Sequence, residues 1–116
     1  MDIQRAIDEY LSYLRIERGS SPLTIEAYAA DLADYVSFLE EAGVSDVDRV
    51  DRDAIVAYEA DLADREYAVT SIDRHISVLK GFHRFCVRED YAHDNPAATV
   101  RLPHPPDRLP DVLTIE

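Results

Sequence analysis

The chain has 116 residues, of which 24 are acidic and 12 are basic, so its formal net charge at pH 7 is −12. This length is enough for one domain with a real core and too short for two. No apolar run approaches the eighteen or so residues that a membrane-spanning helix needs, and the charged N-terminus is unlike a signal peptide. A single cysteine cannot form an intrachain disulfide, so the sequence predicts a cytoplasmic protein with no membrane partner.

The acidic surplus comes with a single lysine, Lys80, and has two interpretations that the composition leaves open. Such a surface is typical of an ordinary soluble protein kept apart from its copies by charge. It is equally typical of proteins from cells with molar internal salt.

Apolar residues at helical spacing predict a first helix from residue 2 to about 18, which Gly19 ends. A second helix starts with Ser21 as the N-cap and Pro22 at the first helical position, and Gly43 ends it. Its predicted buried face consists of Ile25, Tyr28, Leu32, Tyr35, Val36 and Leu39.

A third helix is predicted from about 52 to 65, and a fourth from 70 to about 89 with Thr70 as its N-cap. The predicted apolar arc of the fourth helix consists of Ile72, Ile76, Leu79, Phe82, His83 and Cys86. On nearly the opposite side, within roughly 80°, lies a group that we call the basic stripe. It consists of Arg74, Ser77, Gly81, Arg84 and Arg88, with Lys80 on its flank.

The charges are unevenly distributed along the chain. Residues 26–66 contain thirteen acids and three bases, a net charge of −10, whereas residues 71–88 contain four bases and one acid, a net charge of +3. One interpretation of the stripe is contact with a nucleic-acid backbone, with arginine forks on phosphates and Gly81 allowing close approach. The other is a solvated helix face whose bases pair with the surrounding acids.

The C-terminal part is rich in proline, with five of the six prolines after Tyr91. Proline removes a backbone donor and prevents helix continuation, so residues 97–116 are predicted to be an extended strap or linker. The sequence thus predicts an all-α, compact four-helix bundle over residues 1–96, followed by a proline-rich strap towards a further part of the natural protein.

The order of several short motifs resembles the Xer-type tyrosine recombinases and phage integrases, over essentially the whole chain. The first block consists of Glu17, Arg18, Ser21, Thr24, Tyr28, Asp31, Leu32, Phe38 and Leu39. The second consists of Thr70, Ser71, Arg74, Ser77, Leu79, Phe82, Phe85, Asn95 and Pro96. The exit segment, which in the family leads into the catalytic domain, is matched by Leu102, Pro103, Arg108, Leu109, Pro110, Leu113 and Thr114.

The resemblance implies a SAM-like core-binding domain that forms one half of a clamp around double-stranded DNA. Its further implied partners are the recombinase catalytic domain and, on DNA, other copies in a tetramer of the full-length protein. The DNA-binding residues that it implies, together with Arg88 from the stripe, are Ser21, Thr24, Tyr28, Arg74, Ser77, Lys80, Arg84 and Arg88.

Four of these residues have structural alternatives, and for Lys80 the alternative is pairing with Asp73 or Glu89. Ser21 is an N-cap in any case, and the Thr24 hydroxyl could serve only that cap. The Tyr28 ring is as consistent with a buried position as with a phosphate contact. The strap also departs from the family, because it carries His104 after Pro103 where the family often has lysine.

Catalytic chemistry is not predicted for this chain. The family's His-x-x-Arg pair does not occur, and none of the seven tyrosines lies in a matching context, so the chain alone is not expected to be an enzyme. His83 and Cys86 share a helix face with metal-ligand spacing, but that face is the predicted core, so we expect no metal and no cofactor. The alternative function is an acidic helical module that binds a basic protein through its second and third helices.

Overall fold

The structure, a computed structural model, describes residues 1–100. This part of the chain forms α1 (Ile3–Ile16), α2 (Pro22–Glu41), α3 (Arg52–Asp64) and α4 (Val69–Arg88), with a 3-10 turn at Val47–Arg49. It contains no strand beyond an isolated antiparallel bridge between Asp2 and Asp46. The predicted all-α fold with four helices is confirmed.

Side-chain caps fix the start of three helices. The carboxylate of Asp2 accepts a hydrogen bond from the Arg5 backbone N–H at 3.2 Å and begins α1. Ser21 caps α2 with Pro22 at its first position, as the sequence predicts, and Asp51 caps α3. Because each cap supplies an acceptor to a backbone N–H that lacks a helical partner, these starts depend on local chemistry alone.

Glycines follow the first two helices in the left-handed conformation. Gly19 has a φ of 63° and Gly43 a φ of 81°, values that side chains disfavour. After α1, the Ser20 N–H returns to the Leu14 carbonyl at 3.0 Å and closes the helix end. Both predicted helix ends are therefore confirmed.

The start of α4 differs from the prediction. The helix begins at Val69, and its N-cap is Ala68, which makes no side-chain capping bond, so Thr70 is already inside the helix. The preceding turn explains the shift, because Glu66 is left-handed and the Tyr67 N–H bonds the Leu62 carbonyl at 3.2 Å. The chain has therefore already changed direction between α3 and α4 before Thr70, and α4 starts one residue earlier than predicted.

The fourth helix is the centre of the bundle and contacts α1, α2 and α3. All six residues of the predicted apolar arc are buried. His75, Val78 and Phe85 are buried as well, because a helix packed on three neighbours buries more than one face. This wider contact leaves the basic stripe as the exposed remainder of α4.

The segment after α4 packs back onto the bundle. Ala97 and Val100 are buried, and Asn95 forms a turn by accepting the Ala97 N–H at 3.0 Å. The first four residues of the predicted strap thus form turns against the core, whereas residues 101–116 lie outside the described part. The domain boundary after residue 96 stays a prediction.

Between residues 1 and 100, no helix is long and apolar enough to cross a bilayer.

Candidate nucleic-acid interface

The basic stripe lies along the exposed side of α4. Arg74, Ser77, Arg84 and Arg88 are exposed, whereas Lys80 is half-buried on the flank. Within residues 1–100, no carboxylate comes within 4.0 Å of the Lys80 or Arg84 charge. These two cations are therefore available to an external anion.

Arg74 is held by a buried acid of α2. Its Nη2 donates to Asp31 Oδ1 at 3.0 Å, and the Asp31 side chain is only 7% exposed. His75 Nε2 lies 3.4 Å from the same oxygen, while Asp31 Oδ2 is buried without a partner among the described residues. The pairing of stripe bases with acids is thus realised at Arg74, where the guanidinium also stabilises the packing of α2 on α4.

Arg88 lies against aromatic side chains. Its guanidinium carbon is 4.5 Å from the Tyr13 ring centroid and 5.5 Å from that of Phe85, within the range of cation–π attraction. Nη1 donates to the Tyr13 hydroxyl at 3.3 Å, and Nη2 lies 3.0 Å from Glu89. Arg88 is consequently fixed in place and partly neutralised.

Gly81 serves the helix packing. A Cβ at this position would lie 3.0 Å from the Tyr10 hydroxyl oxygen, closer than ordinary contact. The space that we expected for an approaching backbone is therefore occupied by α1. Burial is the main reason why the pKa of Tyr10 rises to about 12, and the nearby Tyr28 hydroxyl adds to the rise.

The start of α2 places three candidate contacts together. Ser21 Oγ accepts the Thr24 N–H at 3.2 Å and donates to Thr24 Oγ1 at 2.9 Å, so both hydroxyls take part in the cap. Ser21 and Thr24 remain exposed, whereas Tyr28 is half-buried and packs against the core.

The histidine and thiol of the core are used for packing. His83 Nε2 and the Tyr35 hydroxyl share a hydrogen bond of 2.8 Å, and burial lowers the His83 pKa to about 3. Burial also raises the Cys86 pKa to about 12, so both groups are neutral at physiological pH. In the described part, no group of three His, Cys, Asp or Glu side chains could hold a metal ion. The expected absence of a metal stays a prediction.

The acidic face has its own internal pairs. Asp34 accepts from the Tyr58 hydroxyl at 2.6 Å and from two Arg65 nitrogens at 3.1 and 2.8 Å. The Arg65 bonds lower the Asp34 pKa and link α2 to α3. The acids that remain exposed on these two helices and after α3 include Glu26, Glu40, Glu41, Asp53, Asp64 and Glu66.

Sequence reasoning missed Asp31 as a structural partner of the stripe. A signal was present, because Asp31 precedes Tyr35 by four residues, which places it on the buried side of α2. It also missed that Arg18 lies beside Tyr13, whose pKa is lowered by hydrogen bonds from Arg88 and Arg18. That contact joins the end of α1 to the stripe.

The fold defines a helical SAM-like domain, and the chain belongs to the family described as phage integrase, N-terminal SAM-like domain, which matches residues 7–90. Among its relatives is the tyrosine recombinase XerD of Staphylococcus haemolyticus, 37% identical over 114 residues. That alignment covers 98% of this chain and 39% of the relative. XerD of Staphylococcus epidermidis is 39% identical over 110 residues, covering 95% of this chain and 37% of that protein.

A solved structure gives the same fold. The crystal structure of a lambda integrase (75–356) dimer bound to a COC′ core site superposes with a TM-score of 0.73 and 19% identity. The match covers 93% of this chain and 36% of the integrase chain. The predicted membership of the recombinase and integrase family is confirmed, and the chain spans well under half the length of these relatives.

Proposed function

We propose that this chain binds duplex DNA through the basic stripe of α4 and the start of α2, as one half of a clamp. The observation that carries the proposal is the pair of cations formed by exposed Arg84 and half-buried Lys80, which lack a carboxylate partner within residues 1–100 of a strongly acidic protein. Cations without a carboxylate partner on one face can neutralise backbone phosphates of a duplex and release the counterions that these phosphates hold.

The proposed residues have distinct tasks. Arg84 and Lys80 neutralise phosphates, and Ser77, about one turn before Lys80, donates a hydrogen bond. Arg74 and Arg88 contribute positive charge from positions that Asp31 and Glu89 hold in place. At the start of α2, the hydroxyls of Ser21, Thr24 and Tyr28 donate to the backbone of the same duplex.

We further propose that the clamp serves site-specific recombination, with strand cleavage carried out by a separate catalytic domain and with a tetramer assembled on DNA. The family membership and the XerD relatives support this role. The tyrosines support it too, because burial raises the pKa of Tyr35 and Tyr58 and makes both poor nucleophiles. The chain would therefore hold DNA and leave the chemistry to its partner.

A titration of the isotope-labelled chain with a short duplex at low and high salt tests the proposal. We expect amide shifts confined to residues 21–28 and 74–88, weaker as salt rises. Arg84→Gln should weaken binding, whereas the control Arg49→Gln, which removes the same charge from the 3-10 turn, should change little. Equal effects of the two variants would show general electrostatics without a defined site, and no binding at low salt would contradict the proposal.

The exposed acids of α2 and α3 favour one other candidate, a module for a basic protein partner. In that case affinity for a polybasic peptide would depend on acids such as Glu40 and Glu41, which are exposed. Glu40→Gln/Glu41→Gln should leave DNA binding intact or slightly stronger, since it removes repulsion from phosphates. Loss of peptide binding with no DNA binding by the original chain would favour the module.

A further inference from the structure

A pocket between the C-terminal halves of α1 and α4 concentrates positive charge. This α1–α4 pocket has a volume of about 90 Å³, enough for a phosphate group, and is lined by Tyr10, Tyr13, Arg18, Gly81, Arg84, Phe85 and Arg88. Three arginines and two phenolic hydroxyls therefore surround one small space, and no acidic side chain lines it.

Other surface pockets of the described residues have the opposite character. The neighbouring pocket beside Arg88 includes three glutamates, Glu9, Glu17 and Glu89. The pockets between α2 and α3 and around the 3-10 turn are each lined by at least two carboxylates. In a chain of net charge −12, a pocket lined by three arginines and no acid favours an anion, with Arg88 already partly neutralised by Glu89 outside the lining.

The pocket is also organised before any ligand arrives. Arg88 is stacked on Tyr13 and bonded to its hydroxyl, and the pKa of Tyr13 is lowered by Arg88 and further by the nearby Arg18. Arg18 and Arg84 form no ion pair with any residue between 1 and 100, so their charges are not already neutralised. A fixed guanidinium loses less side-chain entropy on binding, which favours a planar, bidentate contact with phosphate oxygens.

We infer that the α1–α4 pocket binds a single phosphate group shared by Arg18, Arg84 and Arg88, with Tyr13 assisting. The inference rests on the proposed function for its natural source, a phosphate of the duplex backbone. It adds Arg18, and with it the end of α1, to the surface that DNA contacts. The same chemistry would also accept inorganic phosphate, so the experiment has one arm for each source.

The DNA arm measures how affinity depends on salt. Each backbone phosphate neutralised contributes about 0.9 to the slope of log affinity against log salt, or about 3.5-fold in affinity between 50 and 200 mM. Because Arg18 and Arg84 share one phosphate, the double variant Arg18→Gln/Arg84→Gln should lose about 0.9 of slope. Two separate phosphates would instead give about 1.8, or about 12-fold over the same range. Arg49→Gln is the charge-matched control.

Arg49 is a suitable control because it lies far from the α1–α4 pocket. The Val47 N–H bonds the Met1 carbonyl at 3.0 Å, so Arg49 lies near the start of α1. The pocket lies near the other end of this 14-residue helix, about 20 Å away. Identical slopes for the double variant and Arg49→Gln, or a loss of about 1.8 in the double variant, would overturn the inference while leaving DNA binding in place.

The phosphate arm follows the arginine side-chain N–H signals during addition of inorganic phosphate. Shifts of Arg18 and Arg84 that saturate together, and that Arg18→Gln removes from Arg84, support a shared site. If DNA fails to bind but these shifts occur, the proposed function is wrong and the pocket is a site for free phosphate. If neither DNA nor phosphate affects Arg18, the inference is wrong.

Discussion

Replacing Arg74 should destabilise the protein in addition to any effect on DNA. Arg74→Ala leaves the Asp31 carboxylate, 7% exposed, with one oxygen facing His75 at 3.4 Å and the other without a partner in the described part. Removing the partner of a buried charged group costs about 1–3 kcal/mol. Since the Arg74 side chain is 59% exposed, water replaces part of the lost interaction, and we expect about 1–2 kcal/mol.

Thermal unfolding followed by circular dichroism at 222 nm measures this loss. For a domain of this size, about 1–2 kcal/mol corresponds to a fall in Tm of roughly 5–10 °C. Arg84→Ala is the matched control, because it removes an arginine from the same exposed stripe without leaving a buried acid behind. Its free energy of unfolding should stay within about 0.5 kcal/mol of the original.

A double-mutant cycle isolates the interaction. Asp31→Asn removes the charge that Arg74 neutralises, so Arg74→Ala should cost about 1 kcal/mol less when Asp31→Asn is already present. Strictly additive effects, or equal Tm values for Arg74→Ala and Arg84→Ala, would refute the assigned role of the pair. The consequence for binding studies is that Arg84 is the cleaner probe of DNA contact, because loss of Arg74 mixes binding with stability.

Three further predictions concern stability. Tyr35→Phe should lower the free energy of unfolding by about 1–3 kcal/mol in urea titrations, because it removes the hydrogen bond to buried His83 Nε2. His83 Nδ1 already lacks a partner within residues 1–100, so the ring would be left without any hydrogen bond. An unchanged urea midpoint would contradict this. Glu66→Gly should stabilise by about 0.5–1 kcal/mol, since Glu66 has a φ of 64°, and a lower urea midpoint would argue against strain there. Asp48 raises the His93 pKa, so the stability from this pair is present below the ordinary pKa of 6.5 and is lost as pH rises through the raised value. The Asp48 pKa is lowered first by the His93 backbone N–H and then by the His93 ring, so stability is also lost in acid, as pH falls below the ordinary 3.8. His93→Gln keeps the backbone donor, so it should lower Tm between these limits and abolish the fall at high pH, while the fall in acid persists in part; an unchanged profile of Tm against pH would contradict the assignment.

Much of the fold was predictable because its boundaries depend on short-range chemistry. A hydroxyl three residues before an N–H, a proline at the first helical position and a glycine after the last turn act within a few residues. That is why Ser21, Pro22, Gly19 and Gly43 were assigned correctly. Thr70 was not, because the start of α4 is set by a hydrogen bond that closes the preceding turn on Leu62.

The candidate site was predictable only as far as helical periodicity reaches. The stripe follows from the spacing of bases along α4. The pairing of Arg74 with Asp31 joins residues 43 apart in sequence and depends on how two helices pack. That Arg18 and Arg84 line the same pocket depends on the packing of α1 against α4 in the same way, and the periodicity of a single helix cannot reveal it.

The contact between Tyr10 and Gly81 couples the side-chain sizes that two distant positions can accept. The missing side chain on α4 accommodates a hydroxyl from α1, with only 3.0 Å available to an added Cβ. A glycine inside a helix costs about 1 kcal/mol relative to alanine, so the close approach of the two helices offsets an intrinsic disadvantage. Recombinases with a larger residue at the position of Gly81 should therefore carry a shorter residue at the position of Tyr10. Because both residues line the α1–α4 pocket, a designer who changes either one alone would also change the width of that pocket.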